Sequence, residues 1–210
     1  MQDLYPMNLN VEGRRCVVVG GGHVALRKIE GLLDAGADVF VISPQVCEEI
    51  RILPVRVCVR LFDEADLQGA ALAIAATDDP AVNLRVAATA NELGIPVNVV
   101  DQPALCSFFV PALVRRGGLV ISISTSGASP ALARRIRERL EAEFGPEYEA
   151  YVKWLDDLRS EIIGRVRSTG KRRQILIGIA GEEVEQILRT QGFDAARRHV
   201  EKMVEDCGAG

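Results

Sequence analysis

The sequence predicts an α/β protein: a parallel sheet with helices on its faces over residues 1–112, a small α+β segment over 113–145 and a helical segment over 146–210. Three observations carry this. Short β-branched runs alternate with helix-period stretches through the first half, a glycine-rich turn directly follows the first such run, and the chain beyond Glu147 has helical periodicity throughout.

Taken in order, Arg14 to Val19 reads as a strand, a helix follows from about His23 to Ala35, and Asp38 to Ser43 is a second strand, completing a βαβ unit. The apolar run Ala71 to Ala76 makes another strand that ends at Thr77-Asp78-Asp79-Pro80; a helix continues to about Leu93, and Pro96 to Val100 is the next strand. Repeated β-then-α order implies parallel pairing, with ligands at the carboxyl ends of the strands. Near residue 112 the pattern changes. Val110 to Val114 and Gly118 to Ser124 read as a strand pair separated by Arg115-Arg116-Gly117-Gly118, and Ser129-Pro130 opens a helix that Gly145-Pro146 stops. Two amphipathic helical stretches, about 147–168 and 181–207, are expected on either side of a break at Ser168-Thr169-Gly170-Lys171.

The 210 residues are 48% hydrophobic, 5% aromatic and 26% charged, which excludes disordered, collagen-like and disulfide-scaffold chains. A formal charge of -4 argues against a mainly nucleic-acid-binding or membrane-surface protein. The longest apolar runs, Gly69 to Thr77 and Leu119 to Ile123, fall far short of the roughly 20 residues a membrane-spanning helix needs. Met1 to Pro6 lacks a basic stretch followed by an apolar one, so no secretory leader and a cytoplasmic location are expected. The cysteines, Cys16, Cys47, Cys58, Cys106 and Cys207, are odd in number and form no C-x-x-C pair, and His23 and His199 are the only histidines. No disulfide framework and no preformed metal site are expected. Charge is uneven, because residues 113–140 hold six arginines (Arg115, Arg116, Arg134, Arg135, Arg137, Arg139) against the single acid Glu138, a net of +5. A basic belt in an acidic chain points to an anionic partner, although Arg137 and Arg139 equally suit a solvated helix face.

The sharpest motif is Val17-Val18-Val19-Gly20-Gly21-Gly22-His23-Val24-Ala25, a G-x-G-x-x-A pattern placed after a strand and opening a helix. Gly20 permits the tight turn, Gly22 lets backbone approach a pyrophosphate, and Ala25 allows close helix packing, so a dinucleotide site follows with Gly20, Gly21, Gly22, His23 and Val24 at the cofactor. His23 reads there as a solvent-facing spacer. At the end of the second strand, where an acid commonly holds the ribose hydroxyls, stand Ser43 and Pro44, so the spacing does not choose NAD over NADP. Thr77, Asp78, Asp79 and Asn83 lie where loops line such a cleft; ordinary capping explains Asp78 and Asp79 equally well.

Asn98-Val99-Val100-Asp101 places a carboxylate just past a strand end. Asp101 is the candidate base for an oxidation in which a proton leaves carbon, with Asn98 beside it as a candidate substrate contact. The hydroxyl-rich run Ser124-Thr125-Ser126-Gly127-Ala128-Ser129 precedes the arginine-bearing helix, so Ser124, Thr125, Ser126, Gly127, Ser129 and Arg134 are candidates for receiving substrate carboxylates; by itself such a run is most simply a helix cap. Cys106 reads as a small packing residue.

Together these pieces resemble the precorrin-2 dehydrogenase/sirohydrochlorin ferrochelatase family, including the N-terminal part of fused siroheme synthases. The match runs in order through Leu9-Asn10-Val11-Glu12-Gly13-Arg14, residues 17–28, Leu32 to Ala37, Ala75 to Asp79, Val97 to Asp101, Ser107 to Ala112 and Ile123 to Ala133. It covers roughly residues 7–145 and fades into the helical tail. The resemblance implies an NAD-binding Rossmann-like domain, then a segment that dimerises two chains and contacts substrate, then a helical domain. It further implies NAD as cofactor, Asp101 as the catalytic aspartate, no resident metal, and oxidation of precorrin-2 to sirohydrochlorin. Some members also insert ferrous iron as a substrate to give siroheme, and the quotable motifs do not separate the two kinds. A substrate with eight carboxylates agrees with the basic belt; precorrin-2 is expected between that belt and the dinucleotide domain, in a cytoplasmic homodimer. The competing class is a non-catalytic NAD-binding redox sensor, which would bind NAD without reducing it.

Overall fold

The computed structural model describes residues 4–208, with side chains as far as Val204. Met1 to Asp3, read above for a leader, and the Cys207 side chain lie outside the described residues. The chain divides into two compact units, Tyr5–Val110 and one built on Pro111–Gly210. The segments expected over 113–145 and 146–210 fall in the same unit.

The first unit runs β1 (Arg15–Val19), α1 (His23–Leu33), β2 (Asp38–Ile42), α2 (Glu48–Arg51), β3 (Arg56–Cys58), β4 (Leu72–Ala75), α3 (Pro80–Glu92) and β5 (Val97–Val99). All five strands pair in parallel, in the order β3-β2-β1-β4-β5. Strand order therefore reverses at β1 and β4, the switch point at which doubly wound sheets bind ligands. Alternation along β1 explains the two cores. Val17 and Val19 join Ala73, Ala75, Val97 and Val99 on the face covered by Val86, Ala87 and Ala90 of α3. Cys16 and Val18 join Val39, Val41, Leu72 and Ile74 on the face covered by Ala25 and Ile29 of α1. Residues buried on both faces of a strand demand the continuous apolar runs that the sequence shows. Within this unit α2 and β3 escape a sequence reading: one is a single turn and the other three residues long, too short to display a period.

In the second unit β6 (Ala112–Arg116) and β7 (Leu119–Ile123) form an antiparallel hairpin, followed by α4 (Pro130–Glu143), α5 (Glu147–Arg165), α6 (Thr169–Gly178), α7 (Glu182–Gln191) and α8 (Phe193–Gly208). The hairpin loop is Gly117-Gly118 alone, with Gly117 at φ 56°, as a tight two-residue turn requires at its first central position. Arg115 and Arg116 thus belong to β6 and not to the connection expected from the sequence. The tail also differs from its expectation. Ser168 accepts from the Lys171 N–H, so the run read as a break is the N-cap of α6. The stretch read as one helix over 181–207 is two, parted at Gly192, whose φ of 84° a helix cannot contain. These helices close on Tyr148, Tyr151, Ile162, Ile175, Val184, Leu188 and Val200. A chain of aromatic contacts, Phe144–Tyr148–Tyr151–Trp154–Phe193, runs through that core with centroids 5.2 to 6.4 Å apart. No helix among the described residues is long and apolar enough to cross a membrane.

Candidate active site

The carboxyl ends of β1, β2 and β4 open into a cleft of about 820 Å³ within the first unit. Its floor is the glycine turn. Gly20 has φ 128°, its N–H donates to the Ile42 carbonyl, and a Cβ there would strike the Ala76 carbonyl. A Cβ on Gly21 would strike the Gln45 carbonyl and stand 2.9 Å from the Val46 Cα. Gly22 is different: its backbone is extended (φ -92°, ψ -176°), it precedes α1 without any side-chain cap, and a Cβ would meet nothing within 4 Å. The first two glycines are thus required by their protein neighbours, whereas the third leaves its space open in front of uncapped helical N–H groups. Such a cradle fits a dinucleotide pyrophosphate.

The remaining cofactor candidates divide between wall and brace. Ser43 is buried and its hydroxyl donates to the Gln45 carbonyl at 2.6 Å, so it shapes the β2–α2 loop; Pro44 beside it is exposed on the wall. Thr77 and Asp79 are tied to each other, the Asp79 N–H donating to the Thr77 Oγ1 at 3.2 Å, and Asp79 caps α3 by accepting from Ala81 and Val82. Asn83 is 3% exposed and faces inward, where its Nδ2 donates to the Thr77 carbonyl and its Oδ1 accepts from the Thr77 hydroxyl. It braces the Thr77–Asp79 wall from behind. Asp78 is exposed at the cleft with its carboxylate free among the described residues. His23 and Val24 line the opening, and Val46, Leu61 and Val82 supply apolar wall that suits a flat base.

Asp101 follows β5 at φ 59°, in a turn closed by the Gln102 N–H donating to the Val99 carbonyl at 3.3 Å. Aspartate tolerates this left-handed conformation better than most residues. The side chain is exposed and without an ion-pair or hydrogen-bond partner among the described residues. Cys106 holds the turn from beneath, its sulfur accepting from the Val99 N–H at 3.2 Å and reaching the Gln102 carbonyl at 3.5 Å. Asn98 points the same way: it is 7% exposed and its Nδ2 donates to the Phe108 carbonyl at 3.0 Å. Asn98 and Cys106 therefore fix the loop around Asp101 instead of presenting polar groups to a substrate. On α1, Lys28 is half-buried and its ammonium is held below the ordinary lysine range by burial and then by Arg27, while Cys106 and Asp101 pull in the opposite sense.

In the second unit the hydroxyls of the 124–129 run are partly engaged. Ser124 accepts from the Ser126 N–H, Thr125 from the Ser129 N–H, and Ser129 caps α4 through the Leu132 N–H. Ser126 at φ 50° and Gly127 at φ 82° form a left-handed pair at the apex. Arg134 is exposed and paired with Glu138 at 2.8 Å, Arg137 pairs with Glu141, and Arg116 donates to the Glu141 and Phe144 carbonyls at the end of α4. Among the described residues Arg115, Arg135 and Arg139 are the belt arginines that stand exposed without an acidic partner.

Residues 7–112 match the family described as putative NAD(P)-binding, and residues 116–143 match the sirohaem biosynthesis protein central family. A solved structure of SirC, precorrin-2 dehydrogenase, superposes with a TM-score of 0.74 at 32% identity, covering 95% of this chain and 100% of that one. The chain belongs to the precorrin-2 dehydrogenase family. Siroheme synthase of Thioalkalivibrio sulfidiphilus is 38% identical over 207 residues, 97% of this chain and 42% of the relative. Siroheme synthase of Ectopseudomonas mendocina is 48% identical over 138 residues, 65% of this chain and 30% of the relative. The chain thus spans less than half the length of these curated relatives.

For a precorrin-2 dehydrogenase family member, the sequence reading misses the walls and braces more than the motif. Gln45, Val46, Cys47, Leu61 and Phe62 line the cleft without belonging to any recognisable pattern; the β2–α2 loop beside the glycine turn brings in the first three, and the segment after β3 the other two. Lys28 stands in the quoted run 17–28, yet nothing in its spacing announces the half-buried setting near Asp101.

Proposed function

We propose that this protein is an NAD-dependent precorrin-2 dehydrogenase that forms sirohydrochlorin in siroheme biosynthesis, acting as a cytoplasmic homodimer. The observation that carries the reading is a free carboxylate, Asp101, held in a left-handed turn at the end of β5, on the same edge of the sheet as the open glycine cradle. The full-length likeness to SirC, precorrin-2 dehydrogenase, supports the substrate.

Bound NAD would supply the two-electron acceptor. Gly22 and the first turn of α1 would hold its pyrophosphate, the wall of Ser43, Pro44, Thr77, Asp78 and Asp79 would orient the rest, and the apolar wall would exclude water from the base. Desaturating a carbon–carbon bond removes two hydrogens, one with the electron pair and one as a proton. Asp101 accepts that proton, and its exposed, unpaired carboxylate is poised to do so without first breaking an ion pair. The exposed Arg115, Arg135 and Arg139, with the Ser124–Ser129 turn, match the carboxylates of a tetrapyrrole in charge and donor type. Arg134 joins them by exchanging Glu138, an exposed pair of small energetic weight. Ferrous iron enters this reading as a second substrate, which would make the same site a sirohydrochlorin ferrochelatase.

The test is an anaerobic spectrum of the purified protein with enzymatically generated precorrin-2, with and without NAD. Sirohydrochlorin and NADH formed only with NAD present are the expected products. NAD binding without either product sinks the dehydrogenase reading in favour of a sensor. Adding ferrous iron to the productive sample then separates siroheme formation from dehydrogenation alone.

A further inference from the structure

Outside the reaction just described, an imidazole, a thiol and a carboxylate converge on the rim of the cleft. His23 opens α1, while Cys47 and Glu49 stand on either side of the start of α2. Their ligand atoms all lie within 4.8 Å of one another, although 24 positions separate the histidine from the cysteine in sequence. Three observations make this more than a chance meeting of polar side chains. The two segments are stapled together by the Cys47 N–H donating to the Gly21 carbonyl at 2.8 Å, so the ligands arrive on fixed backbones. Cys47 is the N-cap of α2 and Glu49 lies in its first turn, so the start of one helix sets the spacing of the sulfur and the carboxylate. His23 and Cys47 also line the cleft, which leaves solvent and small ions a route to them.

We propose that His23, Cys47 and Glu49 form a binding site for a divalent cation of the zinc class. One nitrogen, one sulfur and one oxygen ligand suit a borderline-soft ion; they supply three of four tetrahedral positions and leave the last to water or another oxygen donor. Neither magnesium nor calcium fits, because both want an all-oxygen shell. The site is independent of the dehydrogenase reading: either stands if the other fails.

The test uses the purified full chain, stripped with a chelator and titrated with zinc against a chromogenic indicator, and separately with cobalt. The expected result is a single tight site per chain and, with cobalt, intense thiolate-to-metal charge transfer in the near ultraviolet. Cys47→Ser should abolish the charge-transfer band, and His23→Gln and Glu49→Gln should each weaken zinc by at least about tenfold, as losses at metal sites commonly do. Circular dichroism of each variant, which should match the wild type because His23 and Glu49 are exposed and serine nearly matches the half-buried Cys47 in size, removes misfolding as a cause. A charge-transfer band that survives in Cys47→Ser assigns the sulfur to another cysteine and overturns the proposal, as does unchanged zinc affinity in all three variants.

Discussion

Adding one methyl group at Gly21 and, separately, at Gly22 should produce opposite effects, although the two residues are adjacent. At Gly22 the backbone is extended and a Cβ meets nothing within 4 Å. Gly22→Ala should leave folding within about 0.5 kcal/mol of the wild type, as for surface positions without special geometry. The new methyl projects into the space in front of the first N–H groups of α1. Displacing one charge-assisted hydrogen bond to phosphate costs about 1.5 to 3 kcal/mol, which is roughly ten- to a hundred-fold in NAD affinity. At Gly21 the methyl strikes the Gln45 carbonyl and crowds the Val46 Cα, both backbone groups that no rotamer change can relieve. Overpacking of this kind costs about 1 to 3 kcal/mol, a fall in melting temperature of about 2 to 12 °C for a chain of this size. Calorimetric melting and NAD titration on both variants separate the cases. Wild-type affinity in Gly22→Ala would show that the pyrophosphate does not lie over this turn, and an unshifted melting temperature in Gly21→Ala would refute the steric reasoning.

Asp101 can be separated into backbone and carboxylate by three substitutions. Asp101→Asn, Asp101→Gly and Asp101→Ala should each lower turnover with precorrin-2 by at least about a hundred-fold while NAD binding is unchanged, but only the alanine should also lose about 1 kcal/mol of stability to the positive φ; full turnover in all three removes the carboxylate from the mechanism. Asp66, which is 7% exposed and accepts from both Arg60 terminal nitrogens and the Asp63 N–H, has its carboxyl depressed chiefly by Arg60. A depressed folded-state value means that its stabilisation is complete above the ordinary aspartate range and disappears as pH falls through the folded value, so Asp66→Asn should cost more at about pH 7 than at about pH 3 in urea unfolding. An equal loss at both would contradict the assignment. Tyr151→Phe removes the donor to the Ile179 carbonyl at 2.8 Å inside the helical core and should cost about 1 to 2 kcal/mol by thermal melting, against no change if that carbonyl finds water.

The first unit was legible because its signals are local and redundant. Val17 to Val19 alternate between two cores, Ala25, Ile29 and Leu32 repeat at helical spacing, and Asp79-Pro80 announces α3. What stayed hidden depends on distant partners. Asn98 looks like a free polar group until the Phe108 carbonyl appears beside it, and Asn83 until Thr77 does. The +5 belt is a true count, yet Arg116 is spent on carbonyls at the end of α4, and Arg134 and Arg137 on neighbours one helical turn away. In the tail, Ser168 carries the same chemistry whether it ends one helix or caps the next, and the expectation took the wrong side. The His23–Cys47–Glu49 cluster was missed because a search for metal ligands in sequence looks for close spacing, and here the closeness comes from β2 lying beside β1.

The Gln45 carbonyl, approached closely by Gly21 and bonded by the Ser43 hydroxyl, has a consequence for anyone wishing to redirect this scaffold toward a phosphorylated ribose. The loop after β2 is where cofactor preference is usually rewritten, and here its peptide backbone is also the surface against which the pyrophosphate turn is moulded. Exchanging the whole loop would deform the anchor of both cofactors at once. A successful redesign would keep positions 43 and 45 in their present conformation and confine new positive charge to the exposed position 44.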